Sequence, residues 1–226
     1  KYSCALYENG IKDLDTAEIK MLDLYCERAQ LKDGMDILEL GCGWGSLTLH
    51  LAKKYPNSKI TAISNSSTQR ESITARAKSL GINNVEIITT DINHFQTGKK
   101  FDRIISIEMF EHMRNYKTLF AMMKDWLKDE GKVFIHMFTD GRDTASKSAL
   151  SYLQKLQEYL EKIRLESYIA TISGRYWSMD RDNHWDRTML TYQAMTDNIG
   201  LNAKSPEEAI QNAYDKGETD EFIKPT

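Results

Sequence analysis

Three glycines within five residues constrain this chain more than any other feature. Met35-Asp36-Ile37-Leu38-Glu39-Leu40 is a short, largely apolar run that leads straight into Gly41-Cys42-Gly43-Trp44-Gly45. From Ser46 to Tyr55, apolar residues then fall at helical spacing through Leu47, Leu51 and Ala52. Glycine lets the backbone turn sharply and approach a ligand with no Cβ in the way, and the helix that follows offers free amides at its N-terminus. In dinucleotide sites that arrangement holds a pyrophosphate, with the spacing GxGxxG. Here the spacing is GxGxG, Ser46 falls where the third glycine would stand, and Glu39 places a negative charge beside the turn. A carboxylate suits a ligand carrying an ammonium and a sulfonium better than a pyrophosphate. The expected cofactor is therefore S-adenosylmethionine, bound by a Rossmann-type region from 31 to about 136. The competing reading is a tight strand-to-helix turn that binds nothing.

The alternation continues beyond the turn. Apolar and helical periodicities predict strands at 59–64, 85–89, 101–107, 132–137 and 168–172. Helices are expected at 67–80, 115–128, 146–163, 184–197 and 205–216, and an amphipathic helix carrying Ile19, Leu22, Leu24 and Tyr25 opens the chain behind Asp15 or Thr16. Short strands separated by helices predict an α/β fold. The expected form is a three-layer, Rossmann-like, mostly parallel sheet in the order 3-2-1-4-5-6, with helices on both faces. With 226 residues, 41% of them hydrophobic, and no Pro/Gly/Ser-rich linker, one composite domain spanning 1–226 is expected.

Several classes are set aside. A net charge of -3 gives no basic footprint for nucleic acid. No apolar run approaches a membrane span and no charged-then-apolar leader opens the chain, which reads as entered mid-pattern. Cys4, Cys26 and Cys42 form no CxxC pair, which suits a reducing cytoplasm. His50, His94, His112, His136 and His184 are scattered, so no metal site is expected. The expected partner is a small-molecule ligand, and the oligomeric state is left open.

Strand ends supply the other candidates. Asn65 and Gln69, after the second strand, stand where nucleotide-binding folds place an acid for the ribose; each carries a carbonyl acceptor and amide donors, and each also reads as a polar helix cap. Asp91, after the third strand, is placed to accept from an adenine amino group.

Taken together, ELGCGWG, AISNSSTQ, TTDI and SIEMFEHM make residues 1 to about 138 resemble the coclaurine N-methyltransferase and cyclopropane fatty-acid synthase family. The resemblance implies that Glu39, Gly41 and Gly43 hold the methionine end and ribose, Asn65 and Gln69 the ribose region, and Asp91 and Ile92 the adenine. It implies that Glu108, Glu111 and His112 handle the acceptor amine, which must be neutral to attack a sulfonium and so needs a base or orienter beside it. Without the resemblance, His112 reads as a helix-start residue.

From about 138 onward that likeness gives way to another. Thr139-Asp140-Gly141-Arg142-Asp143-Thr144, Gly174-Arg175-Tyr176-Trp177-Ser178-Met179-Asp180-Arg181-Asp182 and Asp220-Glu221-Phe222-Ile223-Lys224-Pro225-Thr226 resemble the substrate-binding domain of cofactor-independent phosphoglycerate mutase, in which the last motif continues. This implies phosphoglycerate contacts at Arg142, Asp143, Arg175 and Arg181. Guanidinium forks suit phosphate and carboxylate, and ion-paired surface arginines are the alternative. No segment resembles that family's metal-bearing catalytic domain, so mutase activity is not expected.

The two likenesses meet inside 132–138 with no linker, which reads as a recombined or engineered chimera of segments 1–138 and 139–226. The functional expectation is S-adenosylmethionine binding with amine N-methyltransferase character, weakened or lost by the join. The alternatives are a catalytically silent scaffold and a phosphoglycerate-type anion binder.

Overall fold

A computed structural model of the chain describes residues 5–7, 10–107, 109–129 and 132–226. The chain divides into two compact units, Lys1–Gly131 and Lys132–Thr226.

The first unit opens with α1 (Leu14–Arg28), capped by the Asp13 carboxylate, which accepts from the Thr16 amide at 2.8 Å. Then follow β1 (Asp36–Leu40), α2 (Ser46–Lys54), β2 (Lys59–Ser64), α3 (Ser67–Ser79), β3 (Val85–Thr89), β4 (Arg103–Ser106) and α4 (Tyr116–Trp126). The four strands form one parallel sheet in the order β3-β2-β1-β4. Ile37 packs with Leu22 and Cys26 of α1 and Leu47 and Leu51 of α2, while Leu38 and Leu40, which alternate to the other face, are also fully buried. A strand covered on both faces has no solvent side, which explains why β1 is a nearly continuous apolar run.

The second unit runs β5 (Lys132–Thr139), α5 (Ala149–Lys162), β6 (Glu166–Gly174), α6 (Arg175–Ser178), α7 (Trp185–Thr196) and α8 (Pro206–Asp215). β5 and β6 pair in parallel, with a register irregularity between Ile135 and His136. Ala149 and Leu153 of α5, Ile172 of β6, Ala209, Ile210 and Ala213 of α8, and Ile223 form its core. The outer edge of β6 is covered by the last residues. Ile172 and Thr226 exchange both backbone hydrogen bonds at 2.9 Å, and Gly174 N–H donates to Ile223 C=O at 2.7 Å.

The α/β class and the 3-2-1-4 order agree with the sequence. The single six-stranded sheet does not: β5 and β6 are neighbours, as expected, but in a two-stranded sheet of their own. The chain that was expected to continue the sheet meets it only at the foot of β4. There Phe101 bridges Leu127 in parallel, taking the amide-to-carbonyl bond Phe101 N to Trp126 O and giving its own carbonyl to Lys128 N. The chain leaving α4 thus contacts the backbone two residues before β4, and among the described residues β4 itself is laddered to β1 alone. The sequence also missed α6, which starts directly on the Gly174-Arg175 motif and is too short to show a period.

Candidate functional site

Parallel pairing brings the carboxyl ends of four strands to one edge. Leu40 is in register with Ile63 and Ser106, and Ser64 with Thr89, so the segments beginning at Gly41, Asn65, Thr90 and Ile107 all leave the sheet on that edge. This is the ligand edge of an open α/β sheet.

The glycine turn is built from three left-handed residues, Gly41 (φ 78°), Gly43 (φ 51°) and Gly45 (φ 80°). Two of them are explained by packing. A Cβ on Gly41 would lie 2.8 Å from Met109 Cγ, and one on Gly45 would lie 2.7 Å from Ile73 Cγ1. Gly43 faces open space, with nothing within 4 Å of an added Cβ. The Gly41 and Cys42 amides donate to Ile63 C=O, and Gly45 caps α2 with no side chain over its first turn. α1 and α3, by contrast, are capped by Asp13 and Ser66. Room at Gly43 and uncapped amides at the start of α2 fit an anionic or polar group seated on the turn. Trp44 is half exposed on the loop, and its carbonyl accepts from Arg76 Nη1 at 2.9 Å.

Glu39 lies beneath this turn, 4% exposed, and accepts from the Thr48 hydroxyl of α2 at 2.6 Å. Burial pushes its carboxyl up to about 7, and the Thr48 bond offsets only part of that rise. Burial and the neighbouring Glu39 charge push the Cys42 thiol up to about 12. The sequence pointed to Glu39 but missed Thr48, whose signal is a single hydroxyl amid Leu47, Leu49 and Leu51.

Asn65 is exposed at the end of β2, and Gln69 is half-buried on the first turn of α3, where its Oε1 accepts from Ser64 Oγ at 2.5 Å. The cap of α3 is Ser66, not Asn65 or Gln69, which leaves the capping reading without support. Asp91 is exposed and does cap a short turn, Ile92–His94: its Oδ1 accepts from the Asn93 amide at 2.8 Å and from Asn93 Nδ2 at 2.9 Å. Ile92 is half-buried beside it. Asn115 Nδ2 donates to Asn93 Oδ1 at 2.5 Å, tying that turn to the start of α4.

After β4, Phe110–His112 form a 3-10 turn on which His112 is exposed. Phe110 is stacked on Tyr116 (6.4 Å between ring centroids) and tilted on Phe120 (5.7 Å), giving this corner an aromatic wall. The Glu108 expectation lies outside the described residues. For Glu111 the backbone alone is described.

In the second unit, Thr139 and Gly174 are in register at the ends of β5 and β6, so the two arginine-bearing motifs start side by side. Arg175 Nη1 donates to Asp140 Oδ1 at 2.5 Å and to Asp143 Oδ2 at 2.7 Å. Burial raises the Asp140 carboxyl, but the Arg175 guanidinium together with the backbone amides of Asp143 and Arg142 holds the group below its ordinary value. Arg142 pairs with Glu221 through Nε, at 3.0 Å, and Nη2. Arg181 is exposed on the loop after α6, outside both pairs. Of the four residues expected on an anion, three are thus engaged with one another or with local carboxylates. Asp180, Asp182 and His184 bring one ligand-type atom each within 4.8 Å of the others, a grouping that histidine spacing alone does not reveal. Asp180 Oδ2 there already accepts from the His184 amide at 2.7 Å and the Asp182 amide at 3.1 Å.

A parallel sheet in the order 3-2-1-4, with a left-handed glycine turn after its first strand, defines a Rossmann-type nucleotide-binding unit. The mycolic acid cyclopropane synthetase family model matches residues 1–166, and the BPG-independent PGAM N-terminus model matches residues 111–226. The chain belongs to both families, and residues 111–166 are claimed by both. It is 46% identical over 135 residues to (S)-coclaurine N-methyltransferase from Thalictrum flavum subsp. glaucum, covering 60% of this chain and 37% of the relative. It is 50% identical over 115 residues to 2,3-bisphosphoglycerate-independent phosphoglycerate mutase from Clostridioides difficile (strain 630), covering 51% and 22%. The solved structure of coclaurine N-methyltransferase bound to N-methylheliamine and SAH superposes with a TM-score of 0.56 at 46% identity, covering 58% of this chain and 39% of that one. The chain therefore spans under two-fifths of the length of these relatives. No described helix is long and apolar enough to cross a membrane.

Proposed function

We propose that the first unit binds S-adenosylmethionine at the carboxyl edge of its sheet and keeps N-methyltransferase character toward a small amine. The observation that carries this reading is Gly43, left-handed and facing open space on a turn whose other two glycines are explained by packing. Family membership and the likeness to an SAH-bound N-methyltransferase support the same ligand.

S-adenosylmethionine supplies an electrophilic methyl group on a sulfonium. Glu39 provides a counter-charge under the turn for the ammonium end, and Gly41 and Gly43 let the backbone approach. Asn65 and Gln69 serve the ribose. Asp91, with Oδ1 committed to Asn93, offers its second oxygen to the adenine amino group, against Ile92. Glu108, Glu111 and His112 orient the amine and take its proton, and Phe110, Tyr116 and Phe120 give that corner an apolar wall for the acceptor. Segments 1–138 and 139–226 are read as parts of one recombined chain.

Calorimetry with S-adenosylhomocysteine is expected to give one binding site that Gly43→Val removes while the far-ultraviolet dichroism stays unchanged. An absence of heat at every pH overturns the proposal. A second reading, a folded scaffold without turnover, is favoured by one observation: the sheet ends at β4, and β5 pairs with β6 instead. Radiolabelled methyl transfer to a panel of secondary amines separates the two, since counts above background refute the silent scaffold. Anion binding through the mutase-like arginines is not favoured, because Arg142 and Arg175 already hold carboxylates.

A further inference from the structure

Glu39 is an acid at the floor of the turn with one neutral partner. Its neighbours in register are Ala62 of β2 and Ile105 of β4, neither titratable. From α2 it meets the Thr48 hydroxyl, while His50 and Lys54 of the same helix are turned to Asp23 of α1. The glycine turn adds the Cys42 thiol, which stays protonated well above neutral pH. No cation stands against Glu39 among the described residues, and Asp91, Glu108 and Glu111 are the further acids that follow strand ends of this edge in sequence. A carboxyl so enclosed disfavours its charged form until a positive charge is brought up to it.

We infer that the ligand's ammonium end and the Glu39 proton exclude one another, so that binding at the glycine turn releases a proton, with Thr48 as the positioning residue that holds the carboxylate. The inference rests on the cofactor reading above and concerns how that site is regulated. The balance is simple: Glu39 O–H gives its proton to buffer, the carboxylate pairs with the ammonium, and the Thr48 hydroxyl keeps donating to Oε2. With a free-protein midpoint at about 7, apparent affinity falls roughly tenfold for each pH unit below it and is flat above it.

The test is titration calorimetry of the full chain with S-adenosylhomocysteine at pH 6 and pH 8, in phosphate and in Tris, whose ionisation enthalpies differ. The proposal expects close to one proton released at pH 6, close to none at pH 8, and affinity about tenfold weaker at pH 6. 5′-Methylthioadenosine, the same nucleoside thioether without the amino acid, is expected to bind with no proton release. Thr48→Val removes the hydroxyl at constant shape and is expected to move the release midpoint upward. Glu39→Gln is expected to abolish release, and if that variant does not fold, Thr48→Val carries the assignment. S-adenosylhomocysteine binding with equal affinity at both pH values overturns the inference and leaves the cofactor reading standing. Release that is equal for 5′-methylthioadenosine, or unmoved in Thr48→Val, also overturns it. No binding at either pH overturns the cofactor reading itself.

Discussion

The two units put glycines to opposite uses at equivalent places. Each has parallel strands whose carboxyl ends carry a glycine-bearing motif, 41–45 in the first and 140–144 with 174–175 in the second. In the first unit Gly43 is left-handed with nothing near it, and α2 begins without a side-chain cap. In the second, the same edge is filled by the chain itself. A Cβ on Gly141 would lie 2.6 Å from the Glu221 amide nitrogen, and one on Gly174 would lie 2.2 Å from the Glu221 carbonyl oxygen. Arg142 and Arg175 follow suit, bound to Glu221 and to Asp140 and Asp143. Glycine at a strand end therefore signals room for a visitor only when no other part of the protein has claimed that room.

The sharpest way to break this contrast is to add the missing methyl group on each side. Gly174→Ala drives a Cβ into backbone that has no rotamer to yield, so urea unfolding is expected to register a loss of about 3 kcal/mol. Gly43→Ala meets only the left-handed backbone penalty and is expected to cost about 1 kcal/mol. Equal losses would remove the distinction between a filled and an open edge.

A smaller effect sharpens the open side. The folded Glu39 carboxyl sits at about 7 against an ordinary 4.5, so between those values the native state holds a proton that the unfolded chain has given up. Its contribution is fully present below 4.5 and is lost as pH rises through 7. Glu39→Gln removes that dependence, so relative to wild type the ligand-free variant is expected to gain about 2 to 3 kcal/mol between pH 5 and pH 8. Thermal melts of both proteins across that range read it directly. A constant difference between them means that Glu39 is ionised throughout.

The smallest expectation belongs to the closed side. Arg142 is more than half exposed, so its ion pair with Glu221 is screened by solvent, and Arg142→Ala is expected to change stability by less than about 1 kcal/mol. A larger loss in denaturant titration would make that pair a structural clasp.

Much of this was written locally in the chain. β1, the glycine turn and α2 were legible because an apolar run, a spacing and a helical period abut one another. The order of the first four strands followed from crossover rules applied to alternating elements. What escaped is non-local. Nothing near Arg175 says that Asp140 and Asp143 will meet it, and nothing near Phe101 says that it will bridge Leu127 at the exit from α4. Asp220 is the clearest case. It is 1% exposed, and its Oδ2 accepts from the amides of Ser148 (2.7 Å) and Ala149 (2.9 Å), capping α5 from a distant part of the chain. In sequence it is one acid among many, and its partner Tyr214, whose hydroxyl donates to Oδ1, is one tyrosine among several.

That distant cap has a consequence in time. α5 receives its N-terminal acceptor from a residue 71 positions away, so its first turn cannot be completed by local growth and must wait for a long loop to close. In the first unit β1 finds β2, and β2 finds β3, after a single helix each, and α1 and α3 are capped by the residue next to them, while β4 must reach back past both helices to β1. Contacts of short reach form early and those of long reach form late. The β1–β2–β3 layer is thus the part that can form early, and the first turn of α5, like the β1–β4 pairing, is left waiting for a distant segment to arrive.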